Sequence, residues 1–137
     1  MPCEIHPLGS LGEYKYVVTL SFSDGKIVLS RRRDRKTWET QGGHVEAGET
    51  PLSAARRELW EESGALEYTI SPLCDYRFSS QGPAPWANGQ VFVAQVRMFG
   101  PLPDSEMAEI RAFDSLPDSL TYPAITPCLF AEAARQR

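Results

Sequence analysis

The sequence predicts an α/β fold in which a mixed β-sheet is sandwiched between α-helices. Three observations carry this. Segments rich in β-branched and aromatic residues alternate with helical segments in the order β-β-helix-β-β-β-helix. One helix has both start and stop signals. An Asp-Gly pair joins the first two strands as a hairpin.

The elements follow in order. Tyr14 to Phe22 (YKYVVTLSF) reads as a strand, Ser23-Asp24-Gly25-Lys26 as a turn, and Ile27 to Arg33 as the returning strand. Trp38 to Val45, with Gly42-Gly43, reads as a loop with short extended pieces. Thr50 to Ser63 is the clearest helix. Thr50 suits the cap, Pro51 the first helical position and Gly64 the stop, while Leu52, Ala55 and Leu59 fall at helical spacing and are expected to face the core. Leu66 to Phe78 and Gln90 to Phe99 read as strands separated by a polar loop, Ser79 to Gly89, that carries Trp86. Ile110 to Phe113 reads as a short strand and Pro127 to Arg135 as a C-terminal helix. No internal repeat or low-complexity segment interrupts this order.

Length and composition bound the reading. A chain of 137 residues corresponds to a single domain over 1–137, and 42% hydrophobic with 23% charged residues is enough for a packed core. No apolar run approaches the roughly 20 residues of a membrane helix, and Met1 to Leu11 lacks a signal-peptide layout. Cys3, Cys74 and Cys128 are odd in number and far apart in sequence, which argues against a disulfide framework or thiolate zinc site and for a reducing, cytoplasmic setting. The net charge of −4 disfavours a grip on long nucleic acid, though not a small phosphorylated ligand. Arg31, Arg32 and Arg33 form the densest basic patch. They read either as a solvated strand end or as a contact to phosphate, with Arg31 and Arg33 taken as the substrate-binding candidates.

The informative stretch is Gly43 to Ala65, GHVEAGETPLSAARRELWEESGA. Glu58, Glu61 and Glu62 lie at i, i+3 and i+4, which gathers three carboxylates on one helical face. Like charges so placed repel. Arg56 and Arg57 offset part of this, but Arg57 is adjacent to Glu58 and is expected to point elsewhere on the helix. A divalent cation is the economical neutraliser, and hard oxygen donors suit Mg²⁺ or Mn²⁺. The plain alternative is an exposed acidic face.

The same stretch resembles the Nudix box. The matching positions are Gly43, Glu49, Arg57, Glu58, Leu59, Glu61, Glu62 and Gly64; Ala65 stands where a larger aliphatic residue is usual. The box covers 23 residues, and its surroundings agree: Trp38 enters the loop, and Glu109 to Phe113 followed by Leu116-Pro117 is similar to a late segment of Nudix domains. Gln41 stands where proline often precedes the glycine pair, which is expected to loosen the loop or alter a substrate contact.

The resemblance implies a Nudix fold (α/β/α) and a Mg²⁺- or Mn²⁺-dependent pyrophosphohydrolase that cleaves a diphosphate linkage in a nucleoside di- or triphosphate or a related derivative. Oxidised-nucleotide clean-up is one version. It implies that Glu58, Glu61 and Glu62 hold the metal, with the carbonyl of Gly42 adding a contact and Glu58 open to a role as general base. Glu49 and Arg57 are then an ion pair orienting the loop with Gly43. Glu106 and Glu109 are the other base candidates, and Tyr76, Trp86, Phe78 and Tyr122 are candidates for stacking on a base. His44 reads as a solvated loop residue. A homodimer is the expected assembly by analogy alone. Two competing readings are a non-catalytic Nudix-fold binding or regulatory module, which usually lacks one of the box residues present here, and isomerase or RNA-end chemistry on the same fold, against which the acidic charge weighs.

Overall fold

The computed structural model describes residues 3–79 and 86–136. Among them, seven strands form one mixed sheet: β1 (Cys3–His6), β2 (Tyr16–Ser23), β3 (Lys26–Arg32), β4 (Gln41–His44), β5 (Ala65–Ser79), β6 (Trp86–Phe99) and β7 (Met107–Phe113). The order is β1-β5-β6-β2-β3-β7, with β4 paired to β2 off this path. The β2–β6 pairing is parallel; the others are antiparallel. Two helices complete the fold, α1 (Pro51–Ser63) and α2 (Thr126–Arg135).

Alternation along the central strands explains the layers. On β2, Leu20 and Phe22 face α2, packing with Leu129, Phe130 and Ala133; Val17 faces the other way, against Ala54 and Ala55 of α1. On β6, Val91 joins the α2 side and Phe92, Ala94 and Val96 the α1 side. Strands apolar on both faces therefore lie between helices, the α/β/α arrangement expected.

Helix α1 forms as its end signals require. The Thr50 side chain accepts from the Ser53 N–H at 3.1 Å, Pro51 opens the helix, and Gly64 closes it in the left-handed region at φ 76°. A Cβ on Gly64 would also meet the carbonyl of Pro101 at 2.8 Å.

Several expectations are corrected. The segment before Tyr14 contains β1, missed because four residues carry little periodic signal; β1 is held by pairing with β5. The strand β6 begins at Trp86 and β5 runs to Ser79, so Ser79 and Trp86 to Gly89 are extended rather than loop; the rest of that predicted loop, 80–85, lies outside the described residues. Strand β7 starts at Met107, three residues early, because it pairs along β3. Leu52 is 40% exposed; Ala54 takes the core position instead, buried with Val17 and Phe92 of the sheet. The three thiols are free, yet Cys3 and Cys74 are buried in one apolar cluster against which Cys128 packs. Burial pushes Cys3 and Cys74 up to about 12, so both are inert thiols. No helix among the described residues is long and apolar enough to cross a membrane.

Candidate active site

The site begins at the glycine pair on β4. Gly42 lies opposite Val18, and Gly43 opposite Val17. A Cβ on Gly42 would stand 2.3 Å from the Val17 carbonyl oxygen, and one on Gly43 would stand 2.7 Å from the Glu58 carboxyl carbon. Only glycine lets β4 approach β2 and the Glu58 side chain of α1 this closely.

Gln41, just before the pair, does not loosen the loop. It is wholly buried: its Oε1 accepts from Ser21 at 2.6 Å, and its Nε2 donates to Ser30 Oγ at 2.9 Å and the Val28 carbonyl at 3.3 Å. Ser30 in turn donates to the Glu62 carbonyl at 2.7 Å. A polar chain thus ties three strands to the last turn of α1.

The three box glutamates are held differently. Glu62 Oε1 accepts from the Gly42 N–H at 2.7 Å. Burial pushes its carboxyl up to about 9, opposed by that bond and reinforced by Glu58, Glu39 and Glu106. Glu58 is also pushed up by burial, against the pull of Arg57. Glu61 is less buried and reaches Arg57 at 3.4 Å.

Arg57 is the hub. Its Nε and Nη2 grip the Glu49 carboxylate at 2.7 and 3.0 Å, and Nη2 also donates to the His44 carbonyl at 3.0 Å. The expectation that it points away from Glu58 is corrected: its Nη1 donates to Glu58 Oε1 at 2.7 Å, because the long side chain folds back along the helix. Arg56 turns instead to Tyr68. The Arg57 guanidinium and the Glu46 N–H hold Glu49 down at about 2. This carboxylate therefore contributes stability above its ordinary value of 4.5 that is lost as pH falls from there through about 2. We expect Glu49→Gln to lose part of the wild-type fall in Tm over that window, read from thermal melts of both proteins at matched pH.

Two cavities flank this ridge. The larger, about 620 Å³, is lined by Glu58, Glu62, Gly42 and Gly43 together with Tyr16, Tyr76, Phe78, Tyr122, Arg32, Arg35 and Glu39. The smaller, about 550 Å³, is lined by Glu61, Arg57 and Trp60. Glu46, Glu58, Glu62 and Glu106 border both. Among the described residues, no three His, Cys, Asp or Glu side chains converge closely enough to hold a metal as they stand, since Glu58 and Glu61 lean on Arg57.

The remaining candidates separate by strand alternation. Arg31 is engaged by Glu109 at 3.1 Å and by the carbonyls of Arg32 and Arg35, and Arg33 reaches Asp104 at 3.4 Å; neither lines either of these two cavities. Arg32 does. A β-bulge between Arg31 and Arg32 shifts the pairing from Glu109 to Met107, and it brings Arg32 against Glu106 at the shared rim. Glu109 is held low by Arg111 and Arg31 and lines neither cavity. Trp86 lies under Arg77 at 4.7 Å, also away from both. Tyr76 lines the large cavity but is only 3% exposed, stacked on Phe78 at 5.5 Å. Tyr16, between His44 at 4.5 Å and Phe78 at 5.3 Å, completes the aromatic wall.

Arg35, Glu39 and Tyr16 were not singled out in sequence, and Arg32 was named as one of the basic patch but not taken as its substrate-binding member. The period of a strand separates Arg32 from its neighbours, but the bulge that aims it has no sequence mark.

A family profile described as NUDIX domain matches residues 15–119, and the chain belongs to this family. A MutT-like protein of Streptomyces ambofaciens is 49% identical over 41 residues, covering 30% of this chain and 27% of that protein. An RNA pyrophosphohydrolase of Roseobacter denitrificans is 45% identical over 49 residues, covering 34% and 31%. The matched stretch thus spans less than a third of each relative. Among solved structures, a Bacillus subtilis pyrophosphohydrolase superposes with a TM-score of 0.83 at 21% identity, covering 98% of this chain and 90% of the other. A NUDIX hydrolase of Nitrosomonas europaea gives 0.73 at 20%, covering 91% and 92%. These likenesses show the fold.

Proposed function

We propose that the chain is a pyrophosphohydrolase acting on a nucleoside di- or triphosphate or a related diphosphate, dependent on Mg²⁺ or Mn²⁺. The observation that carries this is the half-buried carboxylate pair Glu58 and Glu62 opening onto a cavity with aromatic side chains on another wall.

The donors fit a hard cation. Glu58 sits in the cradle that a Cβ on Gly43 would fill, and burial, reinforced by the neighbouring carboxylates, makes the charge on Glu62 costly until a cation offsets it. Glu58, Glu61 and Glu62, with the Gly42 carbonyl, would hold the ion. Such an ion polarises phosphoryl oxygens and makes water more acidic. The chain's own groups do the rest. Arg57, Glu49 and Gly43 brace the loop against α1, Arg32 at the rim meets phosphate, and Glu106 takes the proton from water as it attacks phosphorus. The P–O bond to the bridging oxygen breaks, and two phosphate-bearing products leave. The free thiols accord with a reducing, cytoplasmic setting.

A second substrate reading is favoured by the names of relatives. Several are RNA pyrophosphohydrolases, and a 5′-terminal RNA triphosphate presents the same linkage. The deciding measurement is Mg²⁺- and Mn²⁺-dependent product release across nucleoside triphosphates, dinucleotide diphosphates and a 5′-triphosphorylated oligoribonucleotide. No turnover of any of them by folded protein would leave a binding module as the reading. In the same assay Glu106→Gln should lower kcat by about 100-fold or more, the scale of a general base. Glu109→Gln should stay near wild type, because its carboxylate is engaged by two arginines away from the cavities. Equal, small effects would remove Glu106 from the mechanism.

A further inference from the structure

We propose that Glu39 reads the base of the ligand in the large cavity, accepting a hydrogen bond from a ring N–H. The cavity would thereby prefer a purine whose N–H lies beside a carbonyl, as in guanine. The proposal rests on the nucleotide reading above.

Glu39 follows Trp38 and is fixed by paired backbone hydrogen bonds with Ser30, at 2.8 and 2.9 Å. Among the carboxylates lining the cavity it is the buried one, 8% exposed. Its Oε1 accepts from Arg35 Nη1 at 3.1 Å and from Thr121 Oγ1 at 3.0 Å, and Thr37 Oγ1 lies 2.7 Å from that same threonine oxygen. These ties immobilise the carboxylate. Its Oε2 has no hydrogen-bond donor among the described residues.

The residue is buried, but Oε2 is not among the buried unpartnered atoms of the described residues, so it is open to the cavity and can accept an N–H or O–H that a ligand brings. Arg35 lines the cavity too, and a guanidinium carries five N–H donors, more than Glu39 and Tyr122 use. Acceptor and donor therefore stand side by side, the complement of a ring N–H next to a carbonyl. Tyr122, 47% exposed, and Phe78 line the same space and supply aromatic surface for a flat base. The volume, about 620 Å³, accommodates a purine nucleotide.

The test is binding, read by calorimetry on the full chain with Mg²⁺, using guanosine monophosphate, N1-methylguanosine monophosphate and adenosine monophosphate. Wild type should bind the first about 10-fold or more tightly than the other two, since a site built for an N–H rejects analogues without it. In Glu39→Gln the preference should shrink to about threefold or less. Equal wild-type affinities for the guanosine compound and its N1-methyl form would overturn the proposal, and so would undetectable binding of all three. A uniform loss across the three ligands in Glu39→Gln would also overturn it, since that marks a purely structural role. If the variant does not fold, the wild-type comparison alone decides. Because no turnover is read, this outcome stands apart from the hydrolase assay.

Discussion

Glu62→Gln should lower turnover by about 10²–10³-fold while the fold survives, the scale on which loss of one charge-stabilising group acts. The substitution keeps the shape and the contact to the Gly42 N–H but removes the charge. A second readout follows from titration. Burial holds the Glu62 carboxyl up at about 9, against 4.5 for an ordinary glutamate, so at pH 7 it is protonated in the native state and ionised in the unfolded chain. The native state then loses stability as pH rises from 4.5 towards 9. Relative to wild type, Glu62→Gln should therefore gain in Tm across that window. Cation binding needs the ionised form, so wild type should release a proton on taking up Mg²⁺ or Mn²⁺ at pH 7, and Glu62→Gln should release less. Calorimetry in buffers of different ionisation enthalpy measures this. Wild-type turnover in the variant, or identical proton release, would remove Glu62 from the ligand set.

The glycine pair gives the second large effect, and its two members should fail differently. In Gly42→Ala the new Cβ meets a backbone oxygen of β2 at 2.3 Å. Backbone in a paired strand cannot step aside, so β4 must move, at a cost of about 1–3 kcal/mol and with loss of activity. In Gly43→Ala the obstacle is the Glu58 carboxylate at 2.7 Å, the end of a flexible side chain. Glu58 turns away and the fold holds, so activity should fall by a similar factor with Tm nearly unchanged. Melting curves beside steady-state rates separate the two cases. A Gly43→Ala enzyme with normal kcat would show that the placement of Glu58 against β4 does not matter.

What could be read from sequence was what depends on local spacing. Thr50, Pro51 and Gly64 set the ends of α1 through capping, which needs only neighbouring residues. The i, i+3, i+4 glutamates share a face because a helix repeats every 3.6 residues. The hairpin of β2 and β3 followed from Asp24-Gly25, with Asp24 itself left-handed at φ 51°. The long side chains escaped this logic. Arg57 reaches its sequence neighbour Glu58, and Leu52, in register with the core, is exposed while Ala54 packs on the sheet in its place.

By itself, then, the sequence determined the family, the capped helix and the ridge of carboxylates on it, since these rest on contacts within a few residues. Tertiary structure alone decided which arginine of three faces the cavity, that Glu106 rather than Glu109 stands at its rim, that Gln41 anchors the loop, and that Glu39 lines the cavity. The first two depend on the pairing of β3 with β7 and on a bulge in it, and the last two on hydrogen bonds from Gln41 and Glu39 to strands distant in sequence. Spacing along the chain encodes a residue's own helix or strand, whereas the partner across a sheet is chosen by the packing of the whole.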